Sequence, residues 1–480
     1  MTELKTAAKS VAGMAFAETL NKALAFLAFA YLARQAGPES FGVISIALAV
    51  TTLSMMLSDL GVNAVIVREV ARNKGAARAI MGRLVALKAL LAIATLAVIV
   101  AAAGLLGYDA GTASVIYLMA AAMFLSSFTE FFNAFFQGLG MPEHVARARV
   151  LNGAVLLAGV LLSSHYYGGD LYAFSYAFIA ASLLPFAYSA AAAAKNIGLD
   201  WKGVSIAHWV KALREGMPFA LSFIFATVFY WTDSVMLSVM STSEVVGWYN
   251  AAYRLILAVL ILRNAFDFAL YPAMSRLYER SREGLGRASN QYLNVMILVC
   301  IPLGVGTTVM AEDIVGLVFG QDYGPAADAL KILIWASSAI FVSGVFGRFL
   351  EASNKAFTVT KVMAFCAVEN IALNLAVIPV WGYLGASATT VVTELTSLSL
   401  LAWCVGGLND WKAREKLVLA FKALLASLVM GAFIHYYEAP FPLEVLAGIL
   451  VYALAATIVS AIKPEDWRLL RFAVKQVITR

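Results

Sequence analysis

Fourteen apolar runs follow one another along this chain, each close to the roughly twenty residues an α-helix needs to cross about 30 Å of hydrocarbon. They cover 9–33, 40–64, 79–103, 113–137, 147–165, 170–192, 216–239, 247–270, 289–309, 326–348, 359–380, 384–408, 416–436 and 442–461. In lipid every backbone N–H and C=O must be satisfied inside the protein, and runs of this length can do that only as helices. The 480 residues are 62% hydrophobic and 13% charged, whereas a soluble domain is about a quarter charged. The expectation is an all-α polytopic membrane protein. The first run is too long for a signal peptide and lacks a small-residue cleavage site, so no leader is expected.

The connections orient the runs. With the N-terminus inside, the inner segments collect nearly all the lysine and arginine: Lys5 and Lys9, Arg68 to Lys88, Arg147 and Arg149, Lys195 to Arg214, Arg276 to Arg287, Arg348 to Lys361, Lys412 to Lys422, and a tail from Lys463 to Arg480. The outer loops hold Arg34 alone, and Lys22, Arg254, Arg263 and Lys331 are set apart as charges within runs, cations toward the inner ends of runs being counted with the inner segments. One missed helix would invert every later loop, so this asymmetry supports the count and predicts cytoplasmic termini. The net charge of +6 thus faces lipid headgroups, and nucleic acid is excluded as a partner. Trp201, Lys202, Trp209, Lys211 and Arg214 suit a helix lying on the inner leaflet.

Chemistry within this frame is sparse. The three cysteines, Cys300, Cys366 and Cys404, are scattered in apolar runs and suggest neither a disulfide framework nor a metal centre. The four histidines sit on inner loops or near helix ends, and the outer loops are short, which leaves no exposed acid, base and nucleophile set for a membrane-embedded glycan enzyme. No P-loop is present, so ATP does not drive the chain directly; any drive comes from a proton or sodium gradient, or from downstream use of the product.

What stands out is charge inside the runs. Ser243–Phe268 is apolar enough to cross, yet carries Arg254, Arg263 and Asp267. A charge at the centre of a membrane helix costs roughly 2.5–3.5 kcal/mol on insertion scales, so these side chains must face protein, a partner charge or water. Lys22 lies near the centre of the first run, with Glu18 one turn earlier in the favourable i, i+4 order. Asp233 is level with Arg254 on the neighbouring run, and Arg263 and Asp267 are themselves i, i+4. Each pair can be read as a neutral structural pair or as part of a wet cavity. Glu369 and Glu394, near mid-depth with no basic neighbour within a turn, either couple transport to an ion or serve as protonated structural groups. Asp59 reads as a helix-end residue, and Pro185 and Pro302 read as kinks in the sixth and ninth runs. On an ideal helix Arg254 and Arg263 fall on nearly opposite faces.

An internal repeat divides the chain. Glu39-Ser-Phe-Gly42 opens the second run and Glu244-Val-Val-Gly247 opens the eighth, and Asn152 and Asn370 occupy corresponding runs. Six runs per half return the chain to the same side, so the repeats are parallel. The expected organisation is a lobe over 1–192, an interfacial linker over 193–215, a second lobe over 216–408, and two further helices with a basic tail over 409–480.

A set of ordered motifs then resembles one family. They are Ala33-Arg-Gln-Ala-Gly-Pro-Glu-Ser-Phe-Gly42, Asp59-Leu-Gly61 with Arg68-Glu-Val-Ala-Arg72, Trp231-Thr-Asp233-Ser-Val-Met-Leu237, Gly247-Trp-Tyr-Asn-Ala-Ala-Tyr-Arg254-Leu, Pro272-Ala-Met-Ser-Arg276-Leu, Phe319-Gly-x-x-Tyr323-x-x-Ala-Ala327 with Leu330-Lys-Ile-Leu333, and Asn374-Leu-x-x-Ile-Pro379-x-x-Gly-x-x-Gly385-Ala. Together they resemble the oligosaccharide and polysaccharide flippases of the multidrug/oligosaccharidyl-lipid/polysaccharide (MOP) exporter superfamily. The resemblance implies two six-helix lobes in a V with two C-terminal helices. It also implies alternating access that moves a polyprenyl-(pyro)phosphate-linked oligosaccharide from the inner to the outer leaflet of the cytoplasmic membrane. A diphosphate needs fixed cations to cross a low-dielectric region. Lys22, Arg254 and Arg263 are the substrate candidates, and Glu18, Asp233, Glu369 and Glu394 are the candidates for ion coupling or pairing. Implied partners are membrane lipids and glycan-assembly enzymes, around a monomer. A multidrug or cation antiporter of the same superfamily would line its cavity with acids, and a peptidoglycan lipid-precursor flippase would share the cationic chemistry.

Overall fold

A computed structural model describes residues 2–198, 200, 204–437 and 439–462. Trp201, Lys202 and the basic tail from Lys463 lie outside the described residues, as do the side chains of Lys5 and Lys9. The described chain is helical throughout: α1 (Thr2–Met55), α2 (Val62–Arg72), α3 (Ala77–Leu105), α4 (Ala110–Leu139), α5 (Pro142–Tyr167), α6 (Leu171–Asn196), α7 (Ile206–Met240), α8 (Ser243–Arg280), α9 (Arg282–Val309), α10 (Ala311–Phe319), α11 (Gly324–Ala352), α12 (Ala356–Gly406), α13 (Ala413–Tyr436) and α14 (Phe441–Ile458).

Twelve stretches are long and apolar enough to span a bilayer. Two of them are too long for one crossing. Phe16–Ser58 has 43 residues and Ala356–Gly406 has 51, or roughly 65 and 75 Å of helix against about 30 Å of hydrocarbon. Each is broken once. The backbone leaves helical geometry at Gly37 (φ 74°, ψ 171°), just before Pro38, and at Gly382 (φ 55°, ψ −134°), three residues after Pro379. Positive φ at these points is open to glycine and costly for other residues. Counting two crossings for each broken helix turns twelve stretches into fourteen, and the breaks fall between the runs that end and begin at 33/40 and 380/384. This is a multi-pass membrane protein. The prolines within the sixth and ninth runs behave differently, since α6 and α9 continue through Pro185 and Pro302.

Two short amphipathic helices were not legible as elements. α2 buries Val62, Val65, Ile66 and Val70, and α10 buries Ala311, Val315 and Phe319. The segment holding Trp209, Lys211 and Arg214 also differs from expectation. It forms the opening turns of α7, which runs on unbroken into the seventh span, with Ser205 capping its first turn. Trp209 is anchored by its indole N–H, which donates to the Arg83 carbonyl at 2.8 Å.

The chain forms two compact units, residues 1–247 and 248–480. The first is cored by Val62, Ile66 and Val70 of α2 against Met81, Leu84 and Leu87 of α3 and Phe131, Phe135 and Phe136 of α4. In the second, α13 and α14 pack on α9 through Leu298, Ala423, Ala426 and Ala456, and the Tyr452 hydroxyl donates to the Leu298 carbonyl at 2.8 Å.

Within the first unit the two repeat motifs meet. A Cβ on Gly42 would overlap the Ser243 carbonyl and lie 3.1 Å from the Gly247 nitrogen. A Cβ on Gly247 would overlap the Pro38 carbonyl and lie 3.3 Å from the Gly42 nitrogen. Each glycine thus admits the carbonyl four residues upstream of the other. A second close approach joins Gly61 and Gly216, where a Cβ on Gly216 would lie 2.8 Å from the Leu60 carbonyl oxygen.

Candidate functional site

Three polar clusters interrupt the apolar helices. The first, in the first unit, joins α1, α4 and α5. Lys22 and Glu18 are one turn apart on α1, Nζ to Oε1 3.5 Å. Arg149 of α5 reaches Glu18 with Nε at 3.5 Å. It also grips Glu130 of α4 with two nitrogens, each 2.9 Å from a separate carboxylate oxygen. That forked geometry is the stronger kind of arginine–carboxylate pair. Two cations and two anions balance, yet Lys22 keeps 43% of its side chain exposed, so its charge is available to a ligand.

Arg149 and Lys88, which the charge pattern counts with the inner segments, lie within helices α5 and α3. Arg149 is a helical member of the Lys22 cluster. Lys88 lies about three turns into α3, with 1% of its surface exposed. Its ammonium donates to the Ser58 carbonyl at 2.7 Å, capping the short 3-10 turn that ends the second span. The signal for Arg149 was present in the sequence, as a cation just inside the fifth run. Lys88 gave none, because its burial depends on α2 and the turn folding back over α3.

The second cluster, in the second unit, centres on Asp267 of α8, which is 5% exposed. Arg263 meets it at 3.2 Å, Arg348 of α11 at 3.3 Å, and the Tyr292 hydroxyl of α9 donates to it at 2.7 Å. Arg348 also pairs with Glu351 at 2.6 Å and lies over the Tyr271 ring at 5.5 Å. Gly344 makes room for Arg263, since a Cβ there would stand 2.5 Å from its guanidinium. Arg254 is half-buried, nine residues earlier on the same continuous α8, so it points to the opposite face from Arg263. The structure therefore does not bring the two arginines together. Asp233 is buried on α7, in the first unit.

The third cluster fills the space between the two arms of α12. Thr396 donates to Glu369 at 2.9 Å, and Asn374 donates to Asn370 at 3.1 Å. Glu394 is buried, as is Cys366, and Tyr249 of α8 lies 3.4 Å from Thr390. Glu369 Oε2 and Asn370 Nδ2 are buried with no hydrogen-bond partner among the described residues. Among the described residues, no group of three or more metal-binding side chains comes together.

The chain resembles known proteins in sequence and in fold. A family model described as polysaccharide biosynthesis protein matches residues 7–278, and a MatE model matches residues 218–376. The chain is 22% identical over 390 residues to the probable low-salt glycan biosynthesis flippase Agl15 of Haloferax volcanii, covering 80% of each. It is 25% identical over 176 residues to the probable flippase AglR of the same organism, covering 36% of this chain and 37% of that one. Among solved structures, the lipid II flippase MurJ in an inward closed conformation superposes with a TM-score of 0.78 at 15% identity, covering 93% of this chain and 98% of that one. An inward-facing multidrug resistance MATE transporter of the MOP superfamily superposes at 0.66 and 15%, covering 81% and 95%. At such identities the structural likeness speaks for the fold. The polysaccharide model spans more than half of the sequence, and with it the chain belongs to the polysaccharide biosynthesis protein family.

Proposed function

We propose that the protein is a membrane transporter that flips a polyprenyl-(pyro)phosphate-linked oligosaccharide from the inner to the outer leaflet by alternating access. The observation that carries this reading is cationic charge held inside apolar spans. Lys22 stands half-exposed within the α1 cluster, and Arg254 is half-buried on α8. A polyisoprenoid tail can remain in lipid while fixed cations lower the cost of moving a phosphate headgroup through a low-dielectric region. Arg263 carries less of the argument, since it is engaged with Asp267. Similarity to Agl15, a probable low-salt glycan biosynthesis flippase, supports the same substrate class.

The positive-inside distribution of the connections supports cytoplasmic termini and residence in the cytoplasmic membrane. Glycan-assembly enzymes are the natural suppliers of the substrate. Glu369, Asn370 and Glu394 between the arms of α12 favour coupling to a proton or sodium gradient, with Glu18 and Asp233 serving as pairing acids. Glu369 and Asn370 fall within the MatE match and Glu394 lies beyond it; the two acids also favour a second reading as a cation-coupled antiporter.

The test is transport of a fluorescent lipid-linked oligosaccharide in proteoliposomes. The intact protein should expose the glycan to an external lectin, and Arg254→Ala or Lys22→Ala should lower the rate at least tenfold with the protein still inserted. Full rates in both variants would sink the site, and no transport by the intact protein would sink the substrate class. A rate unchanged after an ionophore collapses the gradient would remove the coupling.

A further inference from the structure

The first unit holds a basic cleft that none of the three clusters uses. It lies where the first turns of α5 meet the last turns of α6, has a volume of about 430 Å³, and is lined by His144, Arg147, Tyr188, Lys195 and Asn196 over a floor of alanines. No carboxylate lines it. Glu143, the nearest acid along the chain, is exposed and acts on Arg147 only through its field. The polar groups are held in place. His144 stacks on Phe136 with ring centroids 4.7 Å apart, and its Nδ1 is 2.8 Å from the Tyr188 hydroxyl. The same hydroxyl accepts from Arg147 at 3.5 Å. Tyr188 thus ties the arginine and the imidazole to one point at the mouth of the cleft.

The surface leading to the cleft changes character along α6. Leu184, Tyr188, Ala191 and Lys195 are spaced i, i+4, i+7 and i+11, which aligns them on one face. Leu184 is 47% exposed and begins that stripe; Lys195, also exposed, ends it. An apolar strip rising to a carboxylate-free basic cleft fits an amphiphile with a chain along Leu184 and an anionic head between Arg147 and Lys195. Basic pockets between membrane helices recognise phosphate headgroups in this way.

We propose that this cleft is a binding site for the phosphate headgroup of an anionic phospholipid, separate from the path of the transported glycan. Only its placement in the cytoplasmic leaflet rests on the orientation argued above; headgroup binding does not. The experiment uses the full chain in nanodiscs of phosphatidylcholine, with or without one quarter phosphatidylglycerol. It reads the melting midpoint and the phosphatidylglycerol that stays bound on extraction into mild detergent. The intact protein should melt higher with phosphatidylglycerol and retain it. Arg147→Ala with Lys195→Ala should melt as the intact protein does in phosphatidylcholine alone. It should bind phosphatidylglycerol about 30-fold more weakly, roughly fivefold for each charge removed near a headgroup. Arg147→Lys with Lys195→Arg should restore retention. Equal retention by the charge-removed variant would overturn the proposal, as would an equal midpoint in both lipids for the intact protein. A midpoint raised as far by millimolar inorganic phosphate or pyrophosphate in phosphatidylcholine would replace the lipid with a soluble anion. None of these readings needs transport, so this proposal and the flippase reading fail separately.

Discussion

Asp267 compensates two arginines and accepts from a tyrosine at once, which ties α8, α9 and α11 together through one carboxylate. Removing one member of a buried ion pair costs about 3–5 kcal/mol, because the remaining charge is stranded. Asp267→Asn should therefore leave Arg263 and Arg348 facing each other and lower the melting midpoint in detergent, seen by intrinsic fluorescence. Arg263→Ala should lose midpoint and transport together. Arg254→Ala should lose transport with the protein still inserted, and full transport by that variant would remove Arg254 from the substrate path. The sequence showed Arg263 and Asp267 as an i, i+4 pair, but Arg348 is 81 residues beyond Asp267 in the chain and reaches it only through the packing of α11. Lys88 makes the same point more sharply. The charge pattern groups it with the basic stretch from Arg68, and only the fold shows it capping Ser58. Lys88→Ala should strand that carbonyl and leave a cavity, a combined loss of about 3 kcal/mol or more; a midpoint equal to the intact protein's would mean that water replaces the ammonium.

At the scale of elements, the crossings were legible because each announces itself by about twenty apolar residues, whatever surrounds it. The two breaks were legible too, since Gly37-Pro38 and the Pro379–Gly382 stretch interrupt otherwise continuous hydropathy. α2 and α10 were not, because a short helix with one apolar stripe resembles a loop until its packing partner is known. The repeat glycines lie between these cases. Their similarity could be read, but not that they touch. Gly42→Ala and Gly247→Ala should each force backbone apart at a seam where no flexible side chain can yield, with overpacking typically costing about 1–3 kcal/mol. Gly104→Ala is the control: nothing lies within 4 Å of its Cβ position on α3, and a glycine-to-alanine change inside a helix is worth up to about 1 kcal/mol in favour. Melting midpoints should fall for the first two and hold or rise for the third. A fall at Gly104 equal to that at Gly42 would show that the seam has no special role.

For the whole molecule the decisive question is whether α1 and α12 each cross twice. Twelve and fourteen crossings are both even, so both leave the termini on one side, and tagging the ends cannot separate them. Every connection between the two broken helices, however, changes sides. Fourteen crossings from a cytoplasmic N-terminus put Asn73 and Ser281 inside, and Gln35, Tyr167, Asp322 and Trp381 outside. Twelve would put Asn73 and Ser281 outside, Tyr167 and Asp322 inside, and would sink Gln35 and Trp381 into the hydrocarbon. These six residues are exposed, so each can carry a single cysteine. Cys300 and Cys366 are buried, and the half-buried Cys404 can be replaced by alanine in the parent. A membrane-impermeant maleimide applied to intact cells should label Gln35→Cys, Tyr167→Cys, Asp322→Cys and Trp381→Cys, while Asn73→Cys and Ser281→Cys should react only after permeabilisation. The reverse pattern would return the basic connections Arg68–Arg78 and Arg276–Arg287 to the outer face, against the charge rule that orients the chain. Labelling at Trp381 is the sharpest single reading. In an uninterrupted α12 it would lie midway through the membrane, and it reaches water only if the backbone turns at Gly382.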